Sequence, residues 1–129
     1  MGFDYKEYKK FVDIYIKAAR EFDKFLYDFL IKCANEVLAK TKKRTPVDTG
    51  ALKKNWFITK VIRKGEDLVV YLYNNQEYAS YVEYGHTNFN RTRWVEGYYM
   101  ATISIEELER KIPARFEREF ARFIKNLEV

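Results

Sequence analysis

Apolar side chains recur at steps of three and four from Phe11 through Tyr15, Ala18, Phe22, Phe25, Phe29 and Cys33 to Val37, with charged residues filling most positions between. That spacing predicts one long amphipathic helix. Asp4 followed by Glu7 imitates a capping box at its start, and Lys40, Lys42, Lys43 and Arg44 complement the negative end of its dipole. Pro46 disfavours helical geometry at Thr45, so the helix is expected to stop there. Asp48 is then placed to cap a short helix through Ala51, Leu52 and Asn55, with Gly50 permitting close backbone approach.

The pattern changes at Trp56. WFITKVIR and LVVYLY are rich in aromatic and β-branched residues, and the KGED between them is a turn signal, so the two runs predict an antiparallel β-hairpin. A lone hairpin is marginal in water and must be covered, most simply by the helices. EYASYVEYGH follows, and then TNFNRTRW, whose polar character predicts a mobile loop. Helical spacing resumes with Ile105, Leu108, Ile112, Phe116, Phe120, Phe123 and Leu127, and Pro113 predicts a kink or break near Lys111. The fold class is therefore α+β, with a long N-terminal helix, a short helix, a central hairpin or small sheet, and a C-terminal helix kinked near Pro113.

Length bounds the organisation. The chain of 129 residues suits a single domain, 1–129, divided into the long helix (1–44), a middle region (45–100) and the C-terminal helix (101–129). With 47% apolar and 18% aromatic residues there is ample material for a core and for partner surfaces. The one cysteine, Cys33, lies in the apolar stripe, which fits a buried free thiol in a reducing compartment. No apolar run reaches the roughly 20 residues of a membrane helix, and the first residues lack the apolar centre of a signal peptide, so cytosolic synthesis is expected.

Charge adds a local feature. Nine basic residues and one acid lie between Lys40 and Lys64, within a net charge of +5. Such a zone attracts phosphates, anionic surfaces or an acidic neighbouring subunit, although solvated lysines often serve solubility alone.

Three enzyme or metal readings fail on context. Asp48-Thr49-Gly50 matches the catalytic triplet of retroviral-type proteases, but a basic helix end precedes it and no glycine-rich flap follows. Glu83 and His86 form a Glu-x-x-His pair, yet His86 is the only histidine and a zinc site needs three or four ligands. No nucleophile elbow or phosphate-binding loop is present, so the chain is expected to be a non-enzyme with no cofactor and no metal.

One ordered series remains. Arg44-Thr45-Pro46-Val47-Asp48-Thr49-Gly50 with Leu52 and Trp56, then Tyr78-Ala79 with Val82-Glu83 and Gly85-His86, then Gly97 and Met100, resembles the HK97 gp10-like family of tailed-phage neck and tail-completion proteins. Glu96 stands before Gly97 where the family pattern leads one to expect proline. The resemblance implies a structural virion protein at the head-tail junction, assembled in the host bacterial cytoplasm. It would act as a homo-oligomer, a hexameric ring around the DNA path, between head-closure and tail proteins, with non-specific contact to genomic DNA and no membrane.

Within that reading Pro46, Asp48, Gly50, Tyr78, Ala79, Glu83 and Gly85 are the structural signature, and capping and turn chemistry is the plainer account of Asp48 and Gly50. Glu83 is expected in a salt bridge or subunit contact. Lys42, Lys43, Arg44, Lys53 and Lys54 are the candidate DNA-facing residues. Arg91, Arg93 and Trp94 are the candidate subunit interface. The alternative is a stand-alone basic nucleic-acid-binding protein, with exposed aromatics as stacking platforms.

Overall fold

The computed structural model describes residues 5–47, 50–87 and 92–127. Helix α1 spans Tyr5–Arg44, and Thr45 closes it by donating its hydroxyl to the Thr41 carbonyl at 2.7 Å. Pro46 follows directly, so the expected stop is where the structure has it. The proposed cap at the other end, Asp4 with the Glu7 side chain, lies outside what is described. A short helix α2, Ala51–Lys54, begins after Gly50, whose φ of 79° is the left-handed region that suits glycine. Asp48 and Thr49 also lie outside the described residues.

The central hairpin is present but divided. Strands β1 (Trp56–Ile58) and β4 (Leu72–Asn74) pair antiparallel, as do β2 (Ile62–Lys64) and β3 (Asp67–Val69). Between the two ladders three residues, 59–61, face only two, 70 and 71, which is the count of a β-bulge. Thr59 bridges the irregularity: its amide donates to the Tyr71 carbonyl at 2.9 Å, and its hydroxyl accepts from the Tyr71 amide at 3.0 Å. The tip is a two-residue turn opened by Gly65 at φ 61°.

Two elements were not expected. A helix α3 covers Ala79–Tyr84, and the stretch read as a loop is framed by a second small hairpin, β5 (Gly85–Thr87) with β6 (Trp94–Glu96). Strands this short carry little alternation, and β6 owes its conformation to backbone contacts with distant residues. Helix α4, Met100–Asn126, runs on through Pro113 without the break that was an open possibility. Pro113 is exposed, which leaves the carbonyl it cannot satisfy open to water.

Helices α1 and α4 pack antiparallel, and sequence spacing explains how. Phe22, Phe25 and Phe29 meet Phe116, Phe120 and Phe123, the closest ring centroids across the pair being 5.0 Å apart for Phe25 and Phe123. Beside this aromatic seam runs a ladder of charges at four-residue spacing. Lys32 faces Glu119 at 3.8 Å, Arg115 grips both oxygens of Glu36, and Arg44 meets Glu107 at 2.5 Å. The remaining rung is like-charged, because Lys40 stands beside Lys111, and that neighbour pushes the Lys111 pKa down. A separate cluster of Leu52, Trp56 and Met100, with Leu38, Leu72, Ala79, Val82 and Ala101 around it, forms the buried centre where the helices meet the β-hairpin.

Two predictions come from the ladder. The hydrogen bond from Arg115 holds the Glu36 carboxyl down from 4.5 to about 2. A carboxyl with a depressed folded pKa adds stability above its unfolded pKa and loses it as pH falls towards the folded one, so this contribution disappears between pH 4.5 and about 2. Melting curves of Glu36→Gln in that window should vary less with pH than those of the wild type, after a lower start at neutral pH. Lys111→Gln removes the like charge beside Lys40 and should raise the melting temperature at low salt, with the gain shrinking as salt is added.

Candidate assembly surface

Helix α4 enters with an unsolved problem. Its first amides have no intrahelical acceptor, its first turn holds no acid, and its own N-cap residue, Tyr99, offers those amides no side-chain acceptor. Glu83, at the far end of α3, solves it. Its carboxylate is only 4% exposed and accepts from the Ala101 amide at 2.9 Å, the Thr102 amide at 2.8 Å and the Thr102 hydroxyl at 2.7 Å. The helix dipole adds to the attraction, so a buried carboxylate is tolerated here without a cation. This corrects the expected salt bridge or subunit contact for Glu83: helix amides occupy the carboxylate.

The backbone is shaped to bring that about. The segment leaving β6 crosses the end of α3, where the Tyr98 amide donates to the Val82 carbonyl at 2.8 Å and the Tyr99 amide to the Glu83 carbonyl at 2.9 Å. Room for the crossing exists only because two glycines meet. A Cβ on Gly97 would lie 2.6 Å from the Gly85 nitrogen, and one on Gly85, already at φ 95°, would lie 2.6 Å from the Val95 carbonyl oxygen. Tyr99 is held left-handed at φ 50°, and its hydroxyl donates to Glu96 at 2.6 Å. Glu96 thus serves the crossing where proline was expected.

Other residues of the resemblance pack against the start of α4. Trp56 donates its indole N–H to Thr45 at 2.9 Å, Leu52 and Met100 are buried beside it, and Ala79 packs against that cluster. Tyr78 opens α3 through its carbonyl while its ring stays exposed. Tyr81, Tyr84, Trp94 and Tyr98, on α3, β6 and the crossing segment, are exposed as well. Arg93 is exposed next to Trp94, whereas Arg91 lies outside the described residues. His86 is exposed with its ring 5.9 Å from Tyr81, apart from the Glu83 carboxylate, so the Glu-x-x-His pair does not converge. Among the described residues no cluster of three potential metal ligands occurs, and no helix is long and apolar enough to cross a membrane.

The basic zone divides in two. Arg44, expected among the DNA-facing residues, is half-buried and engaged with Ser104, at 2.7 Å, and with Glu107. Lys40 pairs with Glu36 at 3.2 Å, and Arg63 pairs with Asp23 at 2.7 Å while lying over the Tyr27 ring. Lys42, Lys43, Lys53 and Lys54 make no ion pair with the described residues, and they cluster at the end of α1 and along α2.

Residues 9–85, more than half of the chain, match the family described as "Bacteriophage HK97-gp10, putative tail-component". The chain belongs to this HK97 gp10-like family. No curated protein and no solved structure matches it. The family match ends at Gly85, inside the crossing, so the partner glycine and the capped end of α4 lie beyond it. Sequence reasoning singled out Glu83 and Gly85 but not their roles. The signal that could have found them is the pair Gly85 and Gly97 bracketing two short extended runs, followed by a helix start without a capping residue of its own.

Removing the cap tests this geometry. Glu83→Ala leaves buried amides unsatisfied and is expected to cost about 1–3 kcal/mol. Glu83→Gln, which keeps one acceptor oxygen, should cost less. Thermal melting with circular dichroism ranks the two, and Gly97→Ala should be at least as damaging as Glu83→Ala because backbone must move to admit the methyl group.

Proposed function

We propose that this HK97 gp10-like chain is a non-enzymatic virion subunit of the head-tail junction, forming a hexameric ring around the DNA path. The observation that carries the reading is the division of the molecule's side chains. The signature residues among those described build the fold, while aromatic side chains on α3, β6 and the crossing face solvent with nothing among the described residues to cover them. A closed ring is built by repeating one heterologous contact, and exposed aromatic surface beside arginine is suitable material for it. We place Trp94, Arg91 and Arg93 at that contact, and the lumen at Lys42, Lys43, Lys53 and Lys54, whose charge would meet DNA backbone without reading sequence.

A stand-alone nucleic-acid-binding protein is the second reading, favoured by the same four lysines, which make no ion pair among the described residues. Mass in solution and ring counting in electron micrographs separate the two: rings with weak DNA affinity support the junction subunit, and salt-sensitive binding by a monomer supports the alternative. Neutralising Lys42, Lys43, Lys53 and Lys54 to Gln should leave stability within about 0.5 kcal/mol of wild type per substitution. It should also flatten the salt dependence of any DNA binding and reduce genome retention in particles carrying the variant. Particles of unaltered infectivity would remove the lysines from the DNA path.

A further inference from the structure

Helix α1 is longer than anything it packs against. Among the described residues, Phe22 is the first in α1 whose ring meets α4, and Asp23 is the first to reach the β-hairpin, through Arg63. The part before them, residues 5–21, is about 25 Å of helix at 1.5 Å per residue, with no ring contact to α4 and no ion pair to the hairpin among the described residues. It is not a polar spacer. Tyr15 is 68% exposed and Ile16 43% exposed, and Ile14 lies between Lys10 and Lys17 on one strip of the helix at steps of four and three. Tyr15, seven residues before Phe22, continues the stripe that α4 covers further along, and the strip with Ile14 borders it.

Elsewhere on the same chain is a groove with the opposite character. It is open, has a volume of about 570 Å³, and lies between α1, α4 and the outer end of the hairpin. Leu26, Leu30, Leu68 and Val69 give it apolar walls, and Glu66 and Asp67 stand at its rim. Both acids are exposed, and neither takes part in an ion pair among the described residues.

We infer that the early part of α1 docks into this groove of a second copy of the chain, with Ile14 and Tyr15 on the apolar walls and Lys10 and Lys17 beside Glu66 and Asp67. The two surfaces are complementary in charge, both apolar, and in different places on the molecule, so the contact is head-to-tail and propagates from copy to copy. The inference rests on the ring reading and names the contact that would build it, a helix reaching from each subunit onto the next.

Charge exchange in the full-length chain tests it, with sedimentation velocity as the readout. Lys10→Glu with Lys17→Glu puts acids against an acidic rim, and Glu66→Lys with Asp67→Lys puts lysines against a basic helix. Each pair of changes should weaken assembly by at least about tenfold in dissociation constant while leaving the melting temperature near wild type, since all four side chains are exposed. An equimolar mixture of the two variants should recover assembly, because each one's helix then suits the other's groove and an even-numbered ring can alternate them. Rings from either variant alone at wild-type affinity, or a mixture that stays as weak as its components, would overturn the docking and leave the ring reading in place. A wild-type chain that remains monomeric at every concentration would overturn both.

Discussion

The Glu83 carboxylate at the start of α4 is the interaction on which the arrangement of this chain depends. One side chain joins the end of α3 to a helix that begins seventeen residues later, and it does so by satisfying amides that nothing in α4 itself can satisfy. Placing a carboxylate at 4% exposure is costly unless donors surround it, and donors surround it only if the chain returns across α3 at one particular height. Gly85 and Gly97 set that height. Met100 is then carried into the centre of the core, fully buried, and Ser104 one turn on reaches Arg44. Capping, crossing and core packing are therefore coupled, and a change at any one of them is felt at the others.

The helix pair works by a different rule. Its seam is a run of phenylalanines, many of them half-buried, which gives area and little register on its own. Register comes from the charges alongside, since sliding α4 by one turn in one direction would set Glu36 beside Glu119 and Lys40 beside Arg115, and in the other would set Lys32 beside Arg115. Exposed pairs of this kind add modest stability, but a sequence of alternating signs rejects the wrong alignment more strongly than it rewards the right one. The Lys40–Lys111 rung is the exception to the alternation.

Much of this was legible in the sequence, for physical reasons that differ by element. The long helices announce themselves because burying one face of a cylinder imposes a period that survives over many turns, and the end of α1 was fixed by Pro46. The β-hairpin was legible from composition and its turn, while its bulge was not, because one added residue in a short strand leaves no periodic trace. Helix α3 and the β5–β6 hairpin were missed since three to six residues are too few for a pattern, and their conformation is fixed by backbone contacts across the crossing. For the candidate site, the residues were legible but several roles were not. Glu83 looked like a surface acid and Arg44 like part of a basic patch, whereas each is held inward by a partner about 20 or 60 positions away.

That inversion bears on how a family signature should be interpreted. Arg44, Gly50, Trp56, Glu83, Gly85, Gly97 and Met100 are all occupied with making the fold, through ion pairing, positive φ, burial, capping or close approach. Residues spent in this way are not available to recognise anything. The surfaces we propose for partners are instead exposed side chains: the aromatics of α3 and β6, the four lysines without an ion pair among the described residues, and the early part of α1 with the acidic groove it could fit. A protein whose framework is constrained while its contact surfaces are free can keep one architecture and still fit different neighbours. In this chain the framework and the contact surfaces barely overlap in residues, so substitutions can be chosen that test assembly without first disturbing the fold.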